Sequence, residues 1–512
     1  MKELSMKKSD RARLLLLILI LLTPIMQLAA VLVIYGKGIT DFVPNWGDEL
    51  WWWCQADAVG RYGSPLGYWG YNGGRAQIGT FAAWGPAMVM PYGLFAFLFG
   101  WKWYSWILAN LFYITIASLV FIRLTRIDAK GLFWLFIANQ LIFIKDYYFF
   151  TSMAETARWS LGLIAMALIV CMYRNRNMKW WIRYLLIPLY LIYITQAYLI
   201  WALFMLFYFY IVFDDLIGHN KHDKYSILLK IGGCITTFLI YAYLSREFLR
   251  LVSTPYLPHS HGSLLEVITG NISRMKNFYG SRSRFFFIWF FTSYIELMLF
   301  TPVFVLFNLR KLEKRELAIY TAASVTLLSF FAGHIVLYAD ASTWTLVRGM
   351  CGGLVIAVFL LALAKHRQVI VLFIICSLIG LPTLSGIHSV FFDEGRFISP
   401  RLERNASENA GFWKSMTGYD MSRSSIEPDD PWNYTVAVYV YATGGTDFTL
   451  TIPSGYAVSA MFNAEVNHDA RYSAVGKLEN PELAQTIMKK LGEAGFIKAY
   501  EDNRIAGFVN PK

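Results

Sequence analysis

The sequence predicts an α-helical polytopic membrane protein with about 11 transmembrane helices, followed by a C-terminal soluble α+β domain. Three observations predict this fold class. Of the 512 residues, 56% are hydrophobic and only 16% are charged, which is a membrane-protein composition. Many apolar runs are long enough to cross a bilayer. Beyond residue 389 these runs give way to sequence of mixed polarity.

The N-terminal segment is predicted to be an uncleaved first helix. Its basic start resembles a signal peptide, but its apolar stretch runs from Leu14 to Tyr35 and is too long for a signal-peptide core. No small-residue cleavage site is evident. The remaining apolar windows, several of them short, give spans near 103–122, 131–149, 157–173, 181–194, 198–213, 226–246, 285–307, 317–338, 350–364 and 368–387. One long tilted helix over 181–213 is the alternative to two short ones.

Basic residues set the predicted orientation. With the N-terminus inside, the basic turns RLTRIDAK, YRNRNMKWWIR, GHNKHDK, NLRKLEKRE and KHRQ all fall on the cytoplasmic side. If residues 80–100 were a further span, all later loops would be inverted and these basic turns would lie outside the cell. We therefore expect an interfacial or re-entrant helix there, interrupted by Pro86 and Pro91. Residues 36–102 then form one large outer loop, and the outer loops 150–156, 247–284 and 339–349 follow.

The odd number of spans places residues 390–512 outside, as a domain separate from the transmembrane domain of residues 1–389. The segment WNYTVAVYVYATGGTDFTLTIP alternates like a β-hairpin around Gly444 and Gly445. PELAQTIMKKLGEAGF has helical periodicity, with a glycine near its end. This domain is slightly acidic, so the net charge of +12 resides in the membrane loops and does not indicate nucleic-acid binding.

The first outer loop contains an acidic pair among aromatic residues, in NWGDELWWWCQADAVGRYG. The conservative interpretation of Asp48 is a solvated helix cap. The loop's tryptophans, however, favour the headgroup layer, and its GYWGYNGG segment suits close approach to a sugar. Gln55, Asp57 and Asn72 are expected to be solvated loop residues.

Cations recur in the outer loops, where membrane proteins usually carry few of them. They are Arg61, Arg75, Arg246, Arg250, Arg274, Lys276, Arg282, Arg284 and Arg348. Such cations suggest an anionic ligand. A carboxylate facing cations at a membrane surface is what glycosyl transfer from a lipid phosphate requires. The carboxylate removes a proton from the acceptor hydroxyl, and the cations stabilise the departing phosphate.

Residues 14 to about 215 resemble the glycosyltransferase-C superfamily, in particular its branch of protein O-mannosyltransferases and lipid A aminoarabinose transferases. GDELWWWCQADAVGRYG stands in the position of the branch's Asp-Glu pair, and WGPAMVMPYGLFAFLFGW in that of its following loop segment. SMAETARWSL matches the second acidic position, and YITQAYLI a polar break between two short helices. The cation that often follows this break is absent here, where Gln196 stands nearby.

The resemblance implies a site on the extracytoplasmic face of the cell membrane, and a role for each matching residue. Asp48 would be the catalytic base, Glu49 would orient it, and Glu155 would bind the acceptor or a divalent ion where one is used. Arg348, Arg282 and Arg284 would hold the donor phosphate, with Arg61 and Arg75 as further substrate-binding cations. We also place Trp52 and Tyr71 among the substrate-binding residues. No cofactor and no metal ligand is assigned.

The leading hypothesis is a glycosyltransferase that moves a sugar from a polyprenyl-phosphate carrier to a glycan or lipid acceptor of the cell envelope. A polysaccharide polymerase or ligase, depending on loop residues such as Arg282 and His261, is one alternative. A non-enzymatic lipid or polysaccharide transporter is another. An ion pair of Glu155 with Arg158 at the start of a helix is the structural alternative for Glu155.

Overall fold

The structure is a computed structural model of the chain. It describes residues 8–42, 86–102, 104–145, 155–175, 178–197, 201–217, 224–251, 472–477, 481–503 and 505–511 as continuous stretches. Shorter described pieces lie at 52–53, 55–56, 59–60, 63, 68–69, 151–152, 263, 265–266, 268–270, 273, 306–307, 310, 317, 449–451, 457–459 and 466.

The described N-terminal half is helical. Its helices are α1 (Lys8–Tyr35), α2 (Pro86–Phe99), α3 (Ser105–Thr125), α4 (Ala129–Lys145), α5 (Glu155–Arg174), α6 (Ile187–Ala197), α7 (Ala202–Ile217) and α8 (Lys224–Leu251). A π-helical turn, Ile182–Leu186, leads into α6. The seven spans predicted before residue 250 all coincide with these helices, so their helical structure is confirmed. The four later spans lie outside the described residues, and the count of about 11 stays a prediction.

Helix α2 corrects one detail of the sequence analysis. The helix begins at Pro86, as expected for a proline in a first turn, but it continues through Pro91 to Phe99. The predicted interruption at Pro91 is therefore wrong. Tight packing of the next two residues, Tyr92 and Gly93, offsets the backbone hydrogen bond that Pro91 cannot donate. At 1.5 Å per residue the helix is roughly 21 Å long, shorter than a bilayer core.

Two described helical segments, Asp10–Tyr35 and Ser105–Thr125, are long and apolar enough to cross a membrane. Their outer faces carry large apolar side chains that protein does not cover, including Leu15, Val33 and Phe112. Water-soluble proteins rarely leave apolar patches of this extent exposed. Such a surface suits helices that contact lipid, as in an α-helical membrane protein.

The helices enclose a core rich in aromatic residues. Helix α3 packs along α5, and α1 packs along α4. Trp106, Phe121 and Trp159 are fully buried in this part of the chain. A buried aromatic side chain contributes a large contact area to the packing of neighbouring helices. These residues therefore stabilise the arrangement of the helices.

The described residues also form one sheet, and its six strands are β1 (Tyr68–Trp69), β2 (Thr449–Thr451), β3 (Ala457–Ser459), β4 (Tyr472–Gly476), β5 (Ile497–Glu501) and β6 (Ile505–Val509). Their order is β1-β2-β3-β4-β6-β5, and only β3 and β4 pair in parallel. Helix α9 (Pro481–Glu493) packs on the sheet. Its Ile487 and Leu491 form a buried cluster with Phe496 and Phe508. Gly495 follows α9 at φ +89°, so the predicted helix and its glycine are confirmed.

Strand β1 comes from the first outer loop, not from the C-terminal region. Tyr68 pairs with Thr451 and Trp69 with Leu450, in an antiparallel register. The sequence analysis treated residues 390–512 as a domain with its own core and did not anticipate this pairing. The hairpin predicted around Gly444 and Gly445 lies outside the described residues. The described neighbours of β2 are β1 and β3.

Candidate active site

After Asp48 the first described residue of this loop is Trp52, and residues 52–53, 55–56 and 59–60 are helical. The indole N–H of Trp53 donates a hydrogen bond of 3.1 Å to the carbonyl oxygen of Lys102. The indole N–H of Trp101 donates one of 3.0 Å to the carbonyl oxygen of Trp53. This reciprocal pair fastens the chain after the acidic residues to the segment that leads into α3.

The tryptophans of this loop were expected to lie in the headgroup layer. Trp52 is 4% exposed and Trp53 is fully buried, so protein surrounds both side chains, and their position at the headgroup layer stays a prediction. The Trp53 ring packs against Trp101 at 5.8 Å, and the indole N–H groups of Trp53 and Trp101 both donate to backbone carbonyl oxygens. The predicted contact of Trp52 with a substrate stays a prediction.

Two glycines let the loop lie directly against α2. A Cβ atom at Gly93 would lie 2.2 Å from Cγ1 of Val59, and one at Gly60 would lie 2.5 Å from Cβ of Ala96. These distances are far below a van der Waals contact. The backbone of α2 and that of the helical loop segment therefore approach as closely as they do only because both positions lack a side chain.

Tyr92, next to Gly93, joins α2 to two other helices. Its ring stacks on Trp106 of α3, with the ring centroids 3.8 Å apart. Its hydroxyl group donates a hydrogen bond of 2.7 Å to Oδ1 of Asn110 and accepts one of 3.2 Å from the N–H of Ala157. The Nδ2 group of Asn110 in turn donates to the carbonyl oxygen of Thr151 at 3.1 Å. All of these bonds are buried.

The network fixes the beginning of α5, whose first residue is Glu155. Ala157 is the third residue of this helix, and its N–H has no acceptor inside the helix. The Tyr92 hydroxyl supplies that acceptor from a different helix. Asn110 holds the chain just before α5 by the carbonyl of Thr151. The backbone at Glu155 is thus positioned from both sides by α2 and α3.

On the first turns of α5, three buried polar groups have no hydrogen-bond partner among the described residues. They are the Thr156 hydroxyl, the Trp159 indole N–H and the Ser160 hydroxyl. Their spacing of i, i+3 and i+4 places them on one face of the helix. Leaving a buried polar group without a partner costs about 1–3 kcal/mol, so such groups commonly mark a place where water or a ligand binds.

Gln55 in the loop is a fourth group of this kind. It is 1% exposed, and neither atom of its side-chain amide has a partner among the described residues. The expectation that Gln55 is a solvated loop residue is therefore wrong. Protein surrounds its side chain. Gly93 of α2 contacts the loop segment that contains Gln55, and Tyr92 of α2 binds the beginning of α5. Two adjacent residues of one helix therefore contact both the segment with Gln55 and the helix with Thr156, Trp159 and Ser160.

Most of the predicted site residues lie outside the described residues. They are Asp48, Glu49, Arg61, Tyr71, Arg75, Arg282, Arg284 and Arg348. Glu155 and Trp52 lie on described helical segments, although only the backbone of Glu155 is described. Sequence reasoning missed Tyr92, Asn110 and Thr156, since a single tyrosine, asparagine or threonine in an apolar helix has no distinctive spacing. Within the described residues, no three metal-ligating side chains lie close enough to hold an ion.

The described helices define a class: this is an α-helical membrane protein in which part of the first outer loop and the beginning of α5 both contact α2. No protein-family model matches the chain, and no curated protein matches it. Three solved structures are similar to it in overall shape. ArnT from Cupriavidus metallidurans bound to undecaprenyl phosphate is 10% identical, with 95% of this chain and 97% of that chain covered and a TM-score of 0.43.

The Archaeoglobus fulgidus oligosaccharyltransferase in complex with Zn and sulfate is 11% identical. The match covers 92% of this chain and 70% of that chain, with a TM-score of 0.42. ArnT from Cupriavidus metallidurans in the apo state is 10% identical, with coverage of 95% and 97% and a TM-score of 0.34. At these TM-scores the likeness does not by itself define an activity.

Proposed function

We propose that this protein is an integral-membrane glycosyltransferase of the glycosyltransferase-C kind. It takes a sugar from a polyprenyl-phosphate-linked donor and transfers it to a glycan or lipid acceptor of the cell envelope. The reaction takes place on the extracytoplasmic face, with Asp48 as the general base.

One observation carries this proposal: the Tyr92 and Gly93 contacts of α2 link the segment after Asp48 to the beginning of α5, where Glu155 lies. Asp48 and Glu155 are the residues that match the two acidic positions of the superfamily. A transferase needs its acidic groups held in a fixed relation, because a small displacement of a base lowers the rate steeply. The buried bonds of Tyr92 and Asn110 provide such rigidity.

Each proposed site residue has its own role in the reaction. Asp48 removes the proton of the acceptor hydroxyl as that oxygen attacks the anomeric carbon, and Glu49 orients Asp48. Glu155 binds the acceptor, or a divalent ion where one is used. Arg61, Arg75, Arg282, Arg284 and Arg348 stabilise the negative charge on the departing polyprenyl phosphate. Trp52 and Tyr71 contact the sugar. A single displacement with inversion needs only this one base.

The test compares variants in the native host from which the gene has been deleted. Envelope glycans and lipids are analysed by mass spectrometry after complementation with the wild type, Asp48→Asn or Glu155→Gln. Asp48→Asn should abolish the modification that the wild type restores, while the protein accumulates normally in membranes. Asp41→Asn is the matched control in the same loop, because that carboxylate accepts a local bond from the N–H of Gly38 and should not be needed for transfer.

Full restoration by Asp48→Asn would contradict the assigned base. If Asp48→Asn restored the modification while Arg282 or His261 variants did not, the polymerase or ligase alternative would replace the proposal. Binding of undecaprenyl phosphate, the lipid present in one of the similar structures, to purified wild type provides a separate readout for the donor class.

A further inference from the structure

A groove lies between the ends of α1, α3 and α4, at the side of the helices that the sequence predicts to be cytoplasmic. It has a volume of about 530 Å³. Arg13 of α1, Arg123 of α3 and Arg126 in the turn before α4 line it. The predicted active site belongs to the opposite side of the membrane, so this groove is a separate feature.

The groove is rich in positive charge. Its three arginines are exposed and face a single lining carboxylate, that of Asp10. Within the described part of the chain, none of the three guanidinium groups forms a salt bridge. Three cations with one acidic neighbour attract an anion, and guanidinium groups suit the oxygen atoms of a phosphate in particular.

Arg126 has an unusual backbone conformation. Its φ of 49° makes it the only non-glycine residue with positive φ among the described residues. This left-handed conformation costs free energy for a residue with a Cβ atom, and glycine or asparagine is the usual choice at the end of a helix. An arginine at such a position therefore points to a role for its side chain.

The rest of the lining is apolar and reaches deeper along the helices. Leu17 lies one helical turn beyond Arg13, about 6 Å further along the axis. Leu119 lies on the neighbouring helix, one turn before Arg123, and both leucines line the groove. The apolar lining continues onto the exposed apolar face of α1, where Leu14 and Leu15 are about half exposed.

We propose that this groove binds an anionic glycerophospholipid. The phosphate of the headgroup lies among Arg13, Arg123 and Arg126, and an acyl chain lies along Leu17 and Leu119. A soluble anion would use the arginines but would leave the apolar wall uncovered. Basic pockets between the cytoplasmic ends of transmembrane helices are suited to lipid headgroups for this reason. The proposal does not depend on the glycosyltransferase activity.

The test uses the full-length purified protein in detergent. It receives equal amounts of phosphatidylglycerol and phosphatidylcholine, and native mass spectrometry measures the lipid that stays bound. Wild type should retain phosphatidylglycerol preferentially. Arg13→Gln and Arg123→Gln should each lower that affinity by about fivefold, the effect of one basic residue near an anionic surface. Arg310→Gln, an exposed arginine outside the groove, should leave it unchanged.

Equal retention of the two lipids by wild type would overturn the proposal, as would unchanged phosphatidylglycerol binding in the Arg13→Gln/Arg123→Gln double variant. Complete displacement of the lipid by millimolar inorganic phosphate would also overturn it, because it would show a simple anion site. If the double variant does not fold, Arg126→Asn removes one cation while keeping a residue that accepts the left-handed backbone. It should lower phosphatidylglycerol binding in the same assay, and unchanged binding would again contradict the proposal.

Discussion

The hydroxyl group of Tyr92 accepts a hydrogen bond of 3.2 Å from the backbone N–H of Ala157, 65 residues further along the chain. The same hydroxyl donates to Asn110, so a single side chain connects α2, α3 and α5. Ala157 lies in the first turn of the helix that begins at Glu155. This bond therefore helps to position the backbone of Glu155, an acidic residue of the proposed site.

Replacing Tyr92 by phenylalanine should destabilise the protein and reduce transfer. The change removes one donor and one acceptor at a fully buried position, so Oδ1 of Asn110 and the N–H of Ala157 each lose the bond to this hydroxyl group. The expected loss is about 1–3 kcal/mol. Thermal unfolding of the purified protein in detergent measures the loss of stability, and the complementation assay measures transfer.

Tyr104→Phe is the matched control. Tyr104 lies just before α3, and among the described residues its hydroxyl group makes no hydrogen bond. The control should unfold at nearly the wild-type temperature. If Tyr92→Phe were as stable and as active as Tyr104→Phe, the Tyr92 bonds would not position α5.

Gly93→Ala should separate the acidic loop from α2. The new Cβ atom would lie 2.2 Å from Val59, which forces one of the two backbones to move. Overpacking of this kind typically costs about 1–3 kcal/mol. The unfolding temperature should fall, and protease should cut the first outer loop faster than in the wild type.

Two further variants make this test specific. Gly232→Ala places a methyl group in open space on α8, where replacing a helical glycine should stabilise the protein slightly. Val59→Ala in the Gly93→Ala background should recover part of the stability, because it removes the Cγ1 atom at 2.2 Å, although the Cβ atom at 2.5 Å stays. Additive losses in the double variant would show that the two residues do not meet.

Strand β1 should cross-link to β2 in the observed register. Two cysteine pairs test this in a variant without the native cysteines: Tyr68→Cys with Thr451→Cys, and Trp69→Cys with Leu450→Cys. Adjacent antiparallel pairs alternate between hydrogen-bonded and non-hydrogen-bonded geometry, and in the latter the side chains lie closer together. At least one of the two pairs should therefore form a disulfide on mild oxidation, which mass spectrometry of the linked peptides detects.

Tyr68→Cys with Leu450→Cys is the out-of-register control for this cross-link. In the observed register Tyr68 pairs with Thr451 and not with Leu450, so a disulfide should form less efficiently in this variant. Equal cross-linking of the matched and mismatched pairs would show that the first outer loop does not pair with β2 in a fixed register.

Glu501 should give the C-terminal sheet an acid-sensitive component. Lys498 and Lys477 donate hydrogen bonds of 2.6 and 3.0 Å to its carboxylate, and these bonds lower its pKa below that of an ordinary glutamate. Because the pKa is lower in the folded state, the stabilisation is complete above the unfolded value of about 4.3. It is lost as the pH falls through the lowered folded value. The carboxylate is partly exposed, so the effect should be below about 1 kcal/mol.

Hydrogen exchange measures this effect as protection factors for the peptides that contain β4, β5 and β6. Protection should weaken between about pH 5 and pH 3 in the wild type, and more than it does in Glu501→Gln. Glu482→Gln, an exposed carboxylate on α9, is the control and should behave like the wild type. An identical pH dependence in wild type and Glu501→Gln would contradict the role of this ion pair.

The helices of the N-terminal half were predictable because apolar composition over about 20 residues is a local property. The spans near 14–35 and 103–122 coincide with α1 and α3 for this reason. Helix α9 was equally clear from its periodicity and its terminal glycine. A break at Pro91 was the expectation from the sequence, but the helix continues. The packing of Tyr92 and Gly93 against distant residues outweighs the cost of a proline in a helix.

The sequence by itself determined the helical segments, the apolar surfaces that face lipid and the chemical character of the acidic loop. These follow from the identities of neighbouring residues. Only the tertiary structure decided that Trp53 is buried against Trp101, that Tyr92 caps α5 and that Tyr68 and Trp69 join the C-terminal sheet. Each of these contacts joins residues that are at least 48 positions apart, and it depends on how the helices and strands pack, which no local sequence pattern specifies.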